Sequence, residues 1–465
     1  MAAPGPVGVL LALRGAPEED LVRRLAADPD LTVVRRCADL AEVTAAVVAG
    51  LGPVAVLDAE LGVDRTLVDR LRGHGARTIV CCDAADVPRY DALGALALDR
   101  EVDPVPAIRS LAEATDDVER VAGLLGPQRT GAPGPGADEP PASATLPGAT
   151  PAELPASRSA RRRRERGGGM PEAERAKAPR LVVVTGATGS PGRSTIAINL
   201  AHELAHHGEP TVLIDADLWG GAIAQTLGLL AETAGLSAAV RAADHGTLDV
   251  PSFTRLAPRV ADGLRVLPGL ARAARWREVS AVSLEAVLDI AKQTASWVVV
   301  EAPVLIPEDE SGLSLGPGRN DVARCLLHAA EEIVVVGAAE PIGIERLVQA
   351  LLDLDDLALS GSRRVLVNRL RTSAAGPRAA DSVAEALLRF AGAADPVLIP
   401  DDRALCDRAL LAGTTWREAG GRSPARSALT ELAGELRAAA GRPVPAGVRG
   451  LGRLLPPLRR RAAAH

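Results

Sequence analysis

The sequence predicts an α/β protein of two doubly wound domains, each a mostly parallel sheet covered by crossover helices. Three observations carry that reading. Short apolar runs alternate with helical patterns in both halves; a glycine-rich turn joins a strand pattern to a helix pattern around Gly186–Ser194; and a stretch rich in Pro, Gly, Ala and Ser separates the halves. The chain has 465 residues, more than one usual domain, and its 47% hydrophobic content suffices for two packed cores.

In residues 1–125 the apolar runs are VGVLLAL (7–13), LTVVRRC (31–37), PVAVLDA (53–59), ARTIVCC (76–82) and ALGALAL (92–98), with helical patterns such as Glu18–Ala27 and Leu40–Ala49 between them. This βαβ rhythm predicts a small flavodoxin-like sheet. Asp58 ends the third run, and the domain resembles a response-regulator receiver, a family that carries its phospho-acceptor aspartate at that place. Receivers also carry an acidic pair after the first strand and a Lys after the fifth. Here those places hold Leu13, Arg14 and Gly15, and Asp99 and Arg100. The resemblance therefore implies a degenerate receiver that serves docking, with phosphorylation of Asp58 as the alternative.

From 126 to 179 the composition supplies too little apolar surface to offset ordering entropy, which predicts a disordered linker. Its run RSARRRRER (158–166) is either a solvated basic patch or a contact for the phosphates of DNA or acidic lipid. The second domain is expected at 180–440. Its apolar runs are LVVVT (181–185), PTVLID (210–215), LRVLPG (264–269), WVVVEA (297–302), EIVVVG (332–337), RVLVNR (364–369) and PVLIP (396–400), with helix patterns at Glu345–Leu354 and Leu429–Ala438. A basic tail, 441–465, completes the division.

The chemistry concentrates in LVVVTGATGSPGRSTIAINLAHEL (181–204). A strand, a glycine-rich loop and a helix N-terminus form an anion cradle, because loop amides and the helix dipole converge on one spot. Gly186, Gly189 and Gly192 permit close backbone approach to a phosphate, and Ser194 offers a hydroxyl to Mg²⁺. The usual G-x-x-x-x-G-K-[ST] string has Gly and Lys where this chain has Ala187 and Arg193. Further candidates follow at predicted strand ends. Asp215 and Asp217 are suited to a Mg²⁺-bound water and an attacking water, Glu301 to a magnesium-ligating water, Asn368 and Arg369 to a purine edge, and Pro400, Asp401 and Asp402 to the same crevice.

With these residues in place, 180–440 resembles the ParA/MinD class of deviant P-loop ATPases. The family loop VVTSGKGGVGKTT aligns without gaps on VVTGATGSPGRST. The resemblance implies a P-loop NTPase fold, ATP and Mg²⁺ as ligands, and a homodimer formed on nucleotide. It implies that Gly189, Ser190, Gly192, Arg193, Ser194 and Thr195 surround the phosphates and that Asn368, Arg369, Pro400 and Asp401 lie on the adenine-contacting segments. By the same match Ser194, Asp215 and Glu301 attend the metal, Asp217 orients water, Arg193 replaces the phosphate-binding lysine, and Thr188 replaces the lysine that the family reaches across its dimer. Loss of a comparable cation costs about 10³–10⁵-fold in rate, and the extra methylene of Glu301 displaces a metal-bound water enough to cost ~10²-fold. Slow hydrolysis is expected, with a dead pseudo-ATPase scaffold as the alternative. The domain order resembles CpaE/TadZ pilus-localisation proteins, and the GSPGR loop and IPDDRALCDRALLAG (399–413) resemble actinobacterial septum-site-determining proteins, which implies pilus/secretion or division machinery as partners.

Composition narrows the remaining classes. Aromatics make up 2% and net charge is −6, so stacking platforms and general attraction to nucleic acid are both weak; a DNA-partitioning role would rest on the Arg-rich segment. The five cysteines lack C-x-x-C spacing and read as reduced core thiols. No run is long enough to span a bilayer and the N-terminus lacks a basic leader, which predicts a cytoplasmic protein. Leu451, Leu454, Leu455 and Leu458 precede Arg459–Arg461, a pattern like the MinD-type lipid-binding helix, interrupted by Pro456 and Pro457. The alternatives there are a peripheral membrane tether and a disordered basic tail.

Overall fold

The computed structural model describes residues 6–14, 16–112, 178–189, 192–229, 235–306 and 318–442. The chain divides into two compact units, Met1–Gly167 and Gly168–His465. The linker expected at 126–179 lies outside the described residues except at 178–179, as does the tail beyond 442.

The first unit is a parallel sheet of β1 (Val7–Ala12), β2 (Leu31–Arg36), β3 (Val54–Asp58), β4 (Arg77–Cys82) and β5 (Leu96–Asp99), in the order β2-β1-β3-β4-β5. That is the flavodoxin-like order the alternation predicts. Both sheet faces are buried: Leu10 and Ala12 enter one core, Val9 and Leu11 the other. The apolar runs are therefore continuous rather than alternating with polar residues. The run at 92–98 divides, since Ala92 ends the helix Val87–Ala92, Gly94 turns at φ 87°, and the strand begins at Leu96. Asp58 ends β3 buried, where its carboxylate takes Arg100 at 3.0 Å and the amide of Glu60 at 2.9 Å. Arg100 also reaches Glu60 and Asp83. An arginine thus stands over the aspartate as a structural counter-ion, tying the ends of β3, β4 and β5 together.

The second unit holds β6 (Arg180–Gly186), β7 (Thr211–Asp215), β8 (Arg259–Ala261), β9 (Leu264–Leu267), β10 (Trp297–Glu301), β11 (Glu332–Ala338), β12 (Ser362–Leu370) and β13 (Val397–Pro400). Their order is β13-β12-β11-β6-β10-β7-β9-β8, parallel except for β8, which pairs antiparallel with β9. All seven expected strands form. The short edge strand β8 was not expected, because three residues are too few to show a period.

Alternate residues of β6 serve opposite cores. Leu181 and Val183 pack with the helices Ala281–Thr294 and Pro341–Asp355, while Val182 and Val184 pack with Arg193–Ala205 and Pro424–Ala439. Trp297 is fully buried in the second core and donates its indole N–H to Glu209, while Trp219 tilts against Trp276 at 5.2 Å. Both tryptophans are packing residues. Parallel pairing brings the carboxyl ends of β6, β7, β10, β12 and β13 to one rim, the place where open α/β sheets put their ligands.

Candidate nucleotide site

The loop after β6 is described except for Ser190 and Pro191, so the candidate Ser190 lies outside the described residues. Gly192, at φ 107°, sets the chain into the helix Arg193–Ala205 without a side-chain cap. The first helical bond, Ile196 N–H to Gly192 O at 2.8 Å, leaves the amides of Arg193, Ser194 and Thr195 ahead of it. Such first-turn donors, with the helix dipole behind them, favour an anion. Gly192 is also tightly packed, since a Cβ there would lie 2.2 Å from Nδ2 of buried Asn368.

Around this helix start the predicted acids converge. Parallel register sets Glu301 of β10 beside Asp215 of β7. Ser194 Oγ donates to Glu301 Oε1 at 2.8 Å, while Glu301 Oε2 is buried with no partner among the described residues. Asp215, 2% exposed, accepts from the amides of Asp217 and Ile223 at 3.2 Å, and the close approach of Gly221 and Gly269 walls it in. Asp217, 4% exposed, takes Arg193 Nη2 at 2.6 Å and the amides of Trp219 and Gly220 at 3.2 and 3.3 Å. Arg193 spends its other nitrogen on the carbonyl of Ala302 at 3.2 Å. The loop cation therefore closes on the acid the sequence assigns to water.

The other candidates are arranged less tightly. Asn368 and Arg369 form a bulge, where the β12–β13 register slips and Arg369 adopts φ 57°, turning its side chain into solvent. The Asp401 amide donates to Leu370 O at 3.0 Å and its carboxylate pairs with Arg403 at 3.2 Å, beside Pro400. Asp402 caps the following helix through the amide of Leu405.

Burial sets the protonation of the two innermost acids. Desolvation, then the neighbouring Asp215, pushes Glu301 up to about 8; desolvation raises Asp215 to about 6 against the opposing amide of Ile223. Glu301 thus holds a proton in the fold at neutral pH, while the unfolded chain ionises it above its ordinary value of 4.5. Between those two values the unfolded state binds fewer protons, so the contribution of Glu301 to stability is fully present below its ordinary value and is lost as pH rises through the folded value. Without metal or nucleotide, urea midpoints of the full chain are expected to fall from pH 6.5 to 8.5. Glu301→Gln is expected to remove most of that fall, worth on the order of a few kcal/mol. A variant that keeps the wild-type slope would assign the titration to another group.

The residues fit Mg²⁺. A serine hydroxyl and two carboxylates, one with an orphaned buried oxygen, are the hard oxygen donors this ion takes together with substrate phosphates. Among the described residues no group of three or more His, Cys, Asp or Glu could hold a metal alone. A pocket of about 90 Å³ opens beside the end of β6, lined by Thr185, Ala187, Thr188, Leu305 and Arg346 among others. Arg346 escapes sequence reasoning because nothing local to it suggests contact with the loop.

Residues 177–262, which span the loop and the Asp215–Asp217 segment, match the model of the ParA family, described as NUBPL iron-transfer P-loop NTPase. This segment is ParA-like. No curated protein matches the chain. Similar solved structures include a ParA family ATPase from Chlorobium tepidum TLS, 19% identical, covering 55% of this chain and 98% of that one at a TM-score of 0.47. The septum site-determining protein MinD complexed with Mg-ADP from Pyrococcus horikoshii OT3 is 18% identical over 57% of this chain and 98% of its own, at 0.43. The MinC:MinD cell division complex of Aquifex aeolicus is 18% identical over 57% and 97%, at 0.43. Among the described residues no helix of either unit is long and apolar enough to cross a membrane.

Proposed function

We propose that the ParA-like unit binds ATP with Mg²⁺ on the loop Gly186–Thr195, hydrolyses it slowly, and dimerises on nucleotide to position pilus/secretion or septum machinery. The observation that carries the reading is the gathering of Arg193, Ser194, Asp215, Asp217 and Glu301 at the uncapped start of one helix. Ser194, Glu301 and Asp215 would hold Mg²⁺, which supplies charge neutralisation to the phosphates when bound. The amides of Arg193–Thr195 bind the phosphates, Asp217 orients water once Arg193 turns away, and Asn368, Arg369, Pro400 and Asp401 flank the base. The receiver-like unit serves as the docking module, and a peripheral place at the membrane or pole follows from the basic tail.

A second reading, a scaffold that binds nucleotide without turning it over, is favoured by the Arg193–Asp217 ion pair, because an acid neutralised by a guanidinium activates no water. Mg·ATP titration and phosphate release on the purified full chain separate the two. The enzymatic reading expects slow release that Asp217→Ala abolishes while binding persists. Binding with no release above the Asp217→Ala background leaves the scaffold.

A further inference from the structure

We infer that Arg346, on the helix Pro341–Asp355, meets the terminal phosphate of a bound nucleoside triphosphate from within the same chain. This inference rests on the nucleotide reading above.

The loop is short of cations. Thr188 carries no charge, which leaves Arg193, engaged by Asp217 and the Ala302 carbonyl in the nucleotide-free chain, as the one cation within the loop sequence. A triphosphate brings more negative charge than one Mg²⁺ neutralises, so a loop of this kind leaves charge on the terminal phosphate uncompensated. The guanidinium of Arg346, from a helix remote in sequence, lies against the loop. Its Nη1 lies 2.7 Å from the position a Cβ would take on Gly189, and it lines two pockets that Thr188 also lines.

Two acids that share the pocket linings with Arg346 have other partners. Glu340 pairs with Arg371 at 3.6 Å, and Asp353 accepts from Gln349 at 3.1 Å. Among the described residues Arg346 makes no ion pair or hydrogen bond, and its side chain is exposed. An exposed arginine laid along a glycine loop without an acidic partner keeps its planar donor fork for an oxyanion. The helix holds the residue in place: Leu347, Leu351 and Leu354 of the same helix are buried in the core against the sheet. The arginine emerges one position before Leu347, beside the β11 flank of the loop.

A terminal-phosphate contact predicts discrimination between nucleotides. The affinity of the full chain for a non-hydrolysable ATP analogue and for ADP, each with Mg²⁺, is measured by calorimetry for wild type, Arg346→Ala and Arg346→Lys. Arg346→Ala is expected to weaken the triphosphate by roughly tenfold or more and ADP by less than about twofold, the loss of one charge-assisted contact. Arg346→Lys is expected to recover part of the triphosphate affinity, and the nucleotide-free melting curves of all three proteins to superimpose. Equal weakening of both nucleotides overturns the inference and assigns Arg346 to loop shape. No weakening of either also overturns it, while leaving the nucleotide reading intact. Failure of the wild type to bind either nucleotide overturns the nucleotide reading itself, and the inference with it.

Discussion

Arg193→Ala is expected to weaken ATP binding by about 10²-fold or more and, in the same variant, to lower the stability of the nucleotide-free chain. Both effects come from one side chain, which is 15% exposed and holds Asp217 at 2.6 Å. Removing it strands a carboxylate in a buried site, a loss of about 3–5 kcal/mol when no other donors remain. The amides of Trp219 and Gly220 still reach Asp217, which places the cost toward the lower end. Asp217→Asn is the informative partner: it keeps the amide contacts and removes the charge that holds Arg193 away from a phosphate. Its triphosphate affinity is therefore expected to equal or exceed that of wild type, while phosphate release disappears. Calorimetry with a non-hydrolysable ATP analogue, paired with urea denaturation, reads both quantities. Undiminished affinity in Arg193→Ala would locate the phosphate contact elsewhere.

The largest loss of stability is expected far from the loop, at Glu203. This buried carboxylate, 2% exposed, receives Arg417 at 2.6 Å, Arg426 at 3.1 Å and the Thr430 hydroxyl at 3.0 Å. It joins the helix Arg193–Ala205 to the segment after Gly413 and to the helix Pro424–Ala439. Asn199, accepting from the Trp416 amide at 2.6 Å, and His202, bonded to Thr415 at 2.6 Å, complete the seam. Removing one arginine leaves Glu203 the other, so Arg417→Ala is expected to cost about 1–2 kcal/mol. Removing both leaves a buried charge without a cation, and Arg417→Ala/Arg426→Ala is expected to cost about 3–5 kcal/mol, more than the two single losses together. Thr430→Val, which deletes one neutral donor, serves as the control at about 1 kcal/mol. Additive arginine losses in urea denaturation would show that the two act independently and that the seam is not cooperative.

The parts of the site that could be read in the sequence are those set by local chemistry. Gly192 was recognisable because the start of a phosphate loop needs a residue tolerant of positive φ, and it adopts 107°. Asp215 and Glu301 were recognisable because an acid that closes an apolar run falls at a strand's carboxyl end, and the two prove to be register neighbours. What those acids touch could not be read. Arg193 meets Asp217 across 24 residues of chain, and Ser194 meets Glu301 across 107. A guanidinium long enough to reach a phosphate is also long enough to reach a nearby carboxylate, and only the distance between β6 and β7, with β10 between them, decides which it finds. In the first unit Asp58 was likewise placed correctly at the end of its strand. Its engagement with Arg100, 42 residues away, is a tertiary fact.

By itself the sequence determined the two α/β units, their strands and the glycine loop, because burial of both sheet faces writes continuous Val/Leu runs and a tight turn demands glycine at fixed spacing. The tertiary structure alone decided the strand order, the protonated Glu301 beside Asp215, the closure of Arg193 on Asp217, and the placing of Arg346 against Gly189. Each of these depends on desolvation and on distances between segments remote in the chain, and neither quantity is encoded in the order of neighbouring residues.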